Sequence, residues 1–145
     1  AYVKQEPYLE RGTLVENIAF LDDNIDLDRV RNAIEMVSLE DLINGENLEN
    51  IKIEEFGKNL SSGQKQRIII ARALYNNCNV ILFDESTSAL DVKTEQKIVE
   101  IFKELKKKKV TVIIIAHRFS TLKYTDRIIE LDECGIKNTL TYSEL

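Results

Sequence analysis

One stretch of the chain, residues 59–91, constrains the fold more than any other part. It holds a helix-forming segment and then the apolar run Val80-Ile81-Leu82-Phe83, which ends in Asp84-Glu85. An uninterrupted apolar strand is typical of a parallel sheet that is covered on both faces. Carboxylates that directly follow such a strand lie at the edge where open α/β sheets bind their ligands. The stretch therefore predicts an α/β fold with a ligand site at the carboxyl ends of its strands.

The helix-forming segment begins at a short polar sequence, Leu60-Ser61-Ser62-Gly63-Gln64. Serine is a favoured N-cap, because its hydroxyl accepts a hydrogen bond from an unpaired N–H group of the first turn. Gly63 has no Cβ, so a ligand can approach the backbone closely there. The amino end of a helix also offers free N–H groups and the positive end of the helix dipole. This sequence therefore predicts a phosphate-binding helix start.

Length and composition set wider limits. The chain has 145 residues, which is enough for one domain with its own core, and a net charge of −5, which argues against a nucleic-acid-binding face. No apolar run is long enough to cross a bilayer. Cys78 and Cys134 have no metal-ligand spacing, so we expect two reduced thiols.

Further strands and helices can be placed around this stretch. Residues 1–7 resemble the end of a strand that leads into a loop. Residues 92–105 form an amphipathic helix whose inward face carries Ile98, Ile101, Phe102 and Leu105. Residues 110–116 are a second buried parallel strand, and His117 follows it. The lysine run 106–109 is interpreted as a solvated connection between helix and strand. The pattern of helix and parallel strands agrees with an α/β sheet.

Residues 21–58 are acidic and predicted to be helical. Asp26 or Asp28 can cap a helix that ends at Val37, and a second short helix is expected from Ser38 to Ile43. Thr13 can cap an earlier short helix over residues 14–19. Near the carboxyl end, residues 127–133 predict a strand that turns back into residues 136–138.

The central stretch closely resembles the ATP-binding cassette (ABC) ATPases. Residues 60–64 are similar to their signature motif, and Val80 to Asp84 to their Walker B strand. Glu85 stands at the position of their catalytic carboxylate, and residues 88–91 resemble their D-loop. The order and the short spacings make this combination specific, although any one piece is weak.

Other segments extend the resemblance to exporter-type cassettes. Gln5 stands at the glutamine of the Q-loop, and residues 8–20 resemble the segment that follows it. His117 lies in a sequence similar to the H-loop, and residues 50–57 fall where exporters carry the X-loop, which contacts the transport domain. An acidic, solvated turn is the alternative interpretation of residues 50–57.

The resemblance implies a partial P-loop NTPase fold, with a parallel-sheet core and an α-helical signature subdomain. Residues 8–60 would form the helical subdomain, and residues 61–145 would form the remainder of the RecA-like core. No G-x-x-x-x-G-K-[ST] sequence occurs, so the Walker A P-loop is missing. We therefore expect residues 1–145 to be the C-terminal portion of a cassette, inactive as an isolated fragment.

The resemblance also assigns roles in ATP hydrolysis, with ATP and Mg²⁺ as cofactors. Asp84 would hold the magnesium ion, and Gln5 would complete the shell around the metal and the attacking water. Glu85 would act as general base on that water. His117 would contact the γ-phosphate and stabilise the charge that develops there.

A second group of residues would act across a dimer. In this family, Ser61, Gly63 and Gln64 contact the ATP held by the opposite subunit, so that two nucleotide-binding domains close head to tail. Ser62 replaces the usual glycine and adds a hydroxyl that can reach phosphate. Asp91 would cross the same interface and connect the two sites.

The function implied is the ATP-hydrolysing motor domain of an ABC transporter, of the exporter type. It would lie at the cytoplasmic face of the cell membrane, held there by the transmembrane domain of the transporter. One alternative is a non-transport ABC-type ATPase of DNA repair or translation, since fold alone does not decide function. Another is an interaction module that never contained a P-loop.

Overall fold

The computed structural model describes residues 1–4, 8–43, 45–84, 92–116, 122–133 and 135–145, with the backbone alone for residues 92–95. Its strands are β1 (Tyr2–Val3), β2 (Gly12–Thr13), β3 (Lys52–Ile53), β4 (Val80–Asp84), β5 (Thr111–Ile115), β6 (Ile128–Asp132) and β7 (Gly135–Leu140). Its α-helices are α1 (Leu14–Ile18), α2 (Leu27–Met36), α3 (Ser62–Tyr75) and α4 (Val92–Lys107).

The centre of the fold is a three-stranded sheet in the order β1-β4-β5. Both pairs are parallel: Tyr2 aligns with Leu82 on one side of β4, and Asp84 aligns with Ile115 on the other. A parallel pair needs a crossover, which the segment containing α4 supplies between β4 and β5. The predicted α/β architecture is confirmed, and the carboxyl ends of β4 and β5 meet at one edge.

The two faces of this sheet differ in burial. Ile81 and Phe83 are fully buried, and the Phe83 ring meets Phe102 of α4 edge to face, with 4.9 Å between the ring centres. On the opposite face, Val80 is 47% exposed and Ile113 is 50% exposed. The prediction that β4 is covered on both faces is therefore wrong for the described residues, because α4 packs on one side only and no described residue buries Val80 or Ile113.

Helix starts in the first half follow the capping chemistry expected from the sequence. Thr13 caps α1 in a reciprocal capping box with Glu16, and the Asp26 carboxylate caps α2 by accepting from the N–H groups of residues 28 and 29. The second short helix is reduced to a 3₁₀ turn at Glu40–Leu42. Ser38, with φ of +52°, breaks the helical backbone before that turn, which explains the shortening.

Hydrogen bonds from the side chains of Asn17 and Arg72 connect α1 and the residues before it to α3. Asn17 is 2% exposed, and its amide donates to the carbonyls of Glu10 and Thr13 at 2.9 and 3.0 Å. Arg72 of α3 donates to the carbonyl of Asn17 at 2.8 Å, and its guanidinium lies 4.4 Å from the centre of the Phe20 ring. These bonds fix α1 against α3.

The carboxyl-terminal part contains the predicted strand, β6, which pairs antiparallel with β7, so that Ile128 aligns with Leu140.

The prediction that the lysine run 106–109 is a connection between helix and strand is only partly correct. Lys106 and Lys107 form the last turn of α4, where cations are favoured by the helix dipole, and Lys106 bonds Asp126.

An Asp–Tyr pair holds the loop before α2 against the end of α3. The hydroxyl of buried Tyr75 donates to the Asp22 carboxylate at 2.5 Å and accepts from the N–H of Asp26 at 3.1 Å. The hydrogen bond from Tyr75 holds the pKa of Asp22 below its ordinary value, with smaller contributions from the N–H of Asn24 and the charge of Arg29. The carboxylate form is therefore the one that stabilises the fold.

This pair predicts an acid-sensitive contribution to stability. Since the pKa of Asp22 is lowered by folding, its contribution is complete above the pKa of about 4 of the unfolded chain and is lost as pH falls below that value. Asp22→Asn should lower the melting temperature at pH 7 and make its fall on acidification less steep. Circular dichroism melts at several pH values would test this, with exposed Asp23→Asn as the matched control. Equal acid dependence in Asp22→Asn and the unmodified chain would contradict it.

Candidate functional site

The predicted site residues divide into two sets. Ser61, Ser62, Gly63, Gln64 and Asp84 are described. Gln5, Glu85, Asp91 and His117 lie outside the described residues, and their roles stay predictions. The described set lies at two places, the amino end of α3 and the carboxyl end of β4.

The amino end of α3 is closed by a capping box. The Ser61 hydroxyl accepts from the N–H of Gln64 at 3.2 Å, and the Gln64 side chain accepts from the N–H of Ser61 at 2.9 Å. Ser61 and Ser62 are exposed, whereas Gly63 is buried. The N–H groups of Ser62 and Gly63 have no hydrogen-bond partner among the described residues.

This helix start has the properties of an anion site. It combines unpaired backbone donors, exposed hydroxyl groups and the positive end of a 14-residue helix. No acidic side chain lies in its first turn, where a carboxylate would compete for the same donors. The side-chain oxygen of Gln64 accepts from the N–H of Ser61, which leaves the side-chain NH₂ group of Gln64 as a donor that a nucleotide could accept from.

Arg67, one turn further along α3, fixes this helix start against the turn that follows α2. Its side chain is only 5% exposed, and its Nη2 lies 3.2 Å from a carboxylate oxygen of Asp41. The same guanidinium also donates to the carbonyl of Ser38 and, at 3.4 Å, to the carbonyl of Gly63. Arg67 thus joins the signature glycine to the turn that follows α2.

At the end of β4, Asp84 has a neighbour that the sequence argument missed. The hydroxyl of Tyr2 on β1 donates to Oδ2 of Asp84. This hydrogen bond is the main cause that raises the pKa of Tyr2 above its ordinary value, so the phenol stays protonated and remains a donor. The partly exposed Asp84 is thereby held by a neutral group.

The predicted catalytic residues Glu85 and His117 come shortly after the ends of β4 and β5 in the sequence. Asp84 aligns with Ile115 at the common edge of the sheet. Glu85 follows Asp84 directly, and His117 comes two residues after Ile115. The pairing of β4 and β5 therefore makes the chain leave both strands at one edge, immediately before each predicted catalytic residue.

The chemistry of Asp84 fits a magnesium ligand. Mg²⁺ binds through one or two carboxylates together with water and phosphate oxygens, rather than in a cage made only of protein groups. Within the described ranges, no group of three or more His, Cys, Asp or Glu side chains forms such a cage. Asp84, at the carboxyl edge of a parallel sheet, supplies a carboxylate of this kind.

An exposed aromatic pair marks a different surface. Tyr8 and Phe56 are 53% and 52% exposed, and their rings meet edge to face with 5.9 Å between centres. The N–H of Phe56 donates to the carbonyl of Leu9 at 3.1 Å, which joins the segment after the predicted Q-loop to the predicted X-loop. Phe56 has a φ of +57°, which is uncommon for a bulky residue.

The sequence did not identify two residues that contact the candidate site, Tyr2 and Arg67. An isolated tyrosine near the start of a strand carries no signal of its own, and only the register of β1 on β4 brings it to Asp84. Arg67 could have been noticed as a charged residue among apolar neighbours in a helix, but its partner Asp41 lies 26 residues away.

Comparison with known proteins gives the family. The family model described as "ABC transporter" matches residues 1–88. The chain is 40% identical to the lactococcin-G-processing and transport ATP-binding protein LagD of Lactococcus lactis, over 99% of this chain and 20% of that protein. It is also 40% identical to the ATP-dependent lipid A-core flippase of Saccharophagus degradans, over 97% of this chain and 25% of that protein.

The chain belongs to the ABC transporter family. A solved bacterial Atm1-family ABC exporter with ATP bound is 33% identical and superimposes with a TM-score of 0.85, over 99% of this chain and 25% of that one. This likeness confirms the ABC ATPase fold predicted from the motifs. The chain spans a quarter or less of the length of each of these relatives. Among its described residues, no helix has the length and apolar character needed to span a membrane.

The Arg67 contacts lead to a stability prediction for this ABC family chain. Arg67→Ala should lower the free energy of unfolding by about 2–3 kcal/mol, because it removes charge-assisted hydrogen bonds from a nearly buried group. Asp41→Asn should cost less, since the side chain of Asp41 is 46% exposed and the carbonyl partners of Arg67 remain. Urea unfolding measures both, with exposed Arg31→Ala as control. A loss no larger than that of Arg31→Ala would contradict the anchoring role.

Proposed function

We propose that the chain is part of the ATP-binding domain of an ABC exporter and takes part in the ATP hydrolysis that powers transport. Residues 8–60 form its signature subdomain, and residues 61–145 form the remainder of its core. The observation that carries the proposal is the exposed, capped start of α3 at Ser61-Ser62, together with a carboxylate at the carboxyl edge of β4, in a chain of this family.

The amino end of α3 contacts ATP held by a second nucleotide-binding domain. Ser61 and Ser62 offer exposed hydroxyl groups, and the unpaired N–H groups of Ser62 and Gly63 donate to phosphate oxygens. Gln64 joins these contacts through its side-chain NH₂ group, while its side-chain oxygen keeps the bond to Ser61. Asp91 crosses the same interface. Head-to-tail closure of two domains then places each signature helix over its partner's nucleotide.

The carboxyl edge of the sheet carries the hydrolytic chemistry. Asp84 and Gln5 hold Mg²⁺, which when bound neutralises charge on the phosphates of ATP. Glu85 accepts a proton from the attacking water, and His117 donates a hydrogen bond to the γ-phosphate. The alignment of Asp84 with Ile115 supports this arrangement, because Glu85 and His117 follow those two aligned strand ends.

The transmembrane part of the exporter is the second partner, and it holds the domain at the cytoplasmic face of the membrane. The Tyr8–Phe56 pair is the contact surface, because it exposes two large aromatic rings at the junction of the Q-loop and X-loop segments. Aromatic side chains are enriched at protein–protein interfaces and supply much of their binding energy. The names of the relatives, a transport protein and a flippase, agree with an exporter rather than with a repair or translation ATPase.

Hydrolysis is tested in the complete gene product that contains this chain. Glu85→Gln should lower the turnover of ATP by roughly 10²–10⁴-fold, the usual contribution of a general base, and leave ATP binding intact. Glu49→Gln, the same change at an exposed surface position, should have no effect on turnover. The isolated 145-residue chain should show no turnover, because it contains no P-loop sequence. Unchanged turnover in Glu85→Gln would refute the assigned role.

Docking to the transmembrane part is tested by crosslinking. Phe56→Cys in the complete gene product should be joined to a transmembrane segment by a short thiol-reactive crosslinker, with the joined peptides identified by mass spectrometry. Lys107→Cys, at an exposed position on the last turn of α4, serves as the control and should give no such product. Equal yields from the two cysteine variants would show that the aromatic pair is not the docking surface.

A further inference from the structure

We propose that Tyr2 is a positioning residue for Asp84: its hydroxyl fixes one carboxylate oxygen, so that the other is presented to a divalent cation. The inference rests on the proposed role of Asp84 as a magnesium ligand and adds a residue to which the family resemblance assigns no role. It is carried by the register of β1 on β4, by the hydrogen bond itself and by the surroundings of the carboxylate.

The register makes the contact possible. Tyr2 aligns with Leu82, and since side chains alternate along a strand, Tyr2, Leu82 and Asp84 share one face of the sheet. Neighbouring strands lie about 4.8 Å apart, which the long tyrosine side chain can span diagonally to reach the next residue on that face. A shift of β1 by one residue would turn the ring to the opposite face and remove the contact.

The chemistry of the bond suits an orienting role. An ionised carboxylate has two oxygens with about four acceptor positions, and the Tyr2 hydroxyl occupies one of them at Oδ2. The phenol carries no charge that would compete with a cation, and its hydroxyl is the donor of the bond. Hydrogen bonds of this kind hold metal-ligating carboxylates in orientation, and their loss commonly weakens metal binding 10–100-fold.

The surroundings of Asp84 indicate that Tyr2 is the residue that orients its carboxylate. Asp84 is partly exposed, and Tyr2 is the one described residue whose side chain bonds it. Tyr2 is itself 49% exposed, so its ring adds little to the core. Its hydroxyl therefore has a closer connection to Asp84 than to the packing of the sheet, and removing that hydroxyl should leave the fold intact.

The test measures binding of Mn²⁺, a spectroscopic substitute for Mg²⁺, to the complete gene product. Free Mn²⁺ is followed by electron paramagnetic resonance in the presence of a non-hydrolysable ATP analogue. Tyr2→Phe, which deletes only the hydroxyl, should raise the apparent Kd for Mn²⁺ about 10-fold. Nucleotide affinity without metal should not change, and excess Mg²⁺ should restore most of the ATP turnover. Tyr142→Phe, the same change at an exposed tyrosine far along the chain, should behave as the unmodified protein.

The Asp84→Asn variant distinguishes a failure of the positioning role of Tyr2 from a failure of the metal role of Asp84. If Asp84→Asn weakens Mn²⁺ binding but Tyr2→Phe leaves it within 2-fold of the unmodified protein, the positioning role is overturned while the metal role of Asp84 stands. If Tyr2→Phe tightens Mn²⁺ binding, the hydroxyl competes with the metal, and the proposal is again wrong. If Asp84→Asn also leaves binding unchanged, both the metal role and this inference fail.

Discussion

The structure depends on the parallel pairing of β4 with a strand on each side. Parallel pairing aligns the carboxyl ends of neighbouring strands, so Asp84 and Ile115 end at one edge and the chain leaves both strands there. The same register places Tyr2 beside the Walker B strand on the face that carries Asp84. A slip of one residue between β1 and β4 would remove the Tyr2–Asp84 relation, because every side chain of the slipped strand would then change face.

The second organising element is α3, which connects the signature to the core. Its Ile68 and Ile70 are fully buried in the main hydrophobic cluster, whereas its first turn is exposed at Ser61 and Ser62. Arg67 holds that first turn to the end of α2, and Arg72 holds the middle of the helix to α1. Both arginines donate to backbone carbonyls and Arg67 also pairs with the Asp41 carboxylate, so the position of the signature depends on the course of the chain after α2 and on that side chain.

Much of the local structure could be predicted from single residues. Thr13, Asp26 and Ser61 cap the helices that their sequence positions indicate, since capping needs only an oxygen-bearing side chain next to a helix start. The amphipathic spacing of Ile98, Ile101, Phe102 and Leu105 correctly identified the buried face of α4. The short helix after Ser38 was overestimated, because the positive φ at that residue depends on its surroundings and leaves no mark in the periodicity.

The sequence by itself determined the family, the order of the motifs and the chemical type of each candidate group, because these depend on residue identity and spacing along the chain. Only the tertiary structure decided that one face of β4 is exposed, that Arg67 ties the signature to Asp41, and that Tyr2 donates to Asp84. The Tyr2–Asp84 contact joins residues 82 positions apart. Such contacts follow from strand register and helix packing, which are set by the whole core rather than by any local pattern.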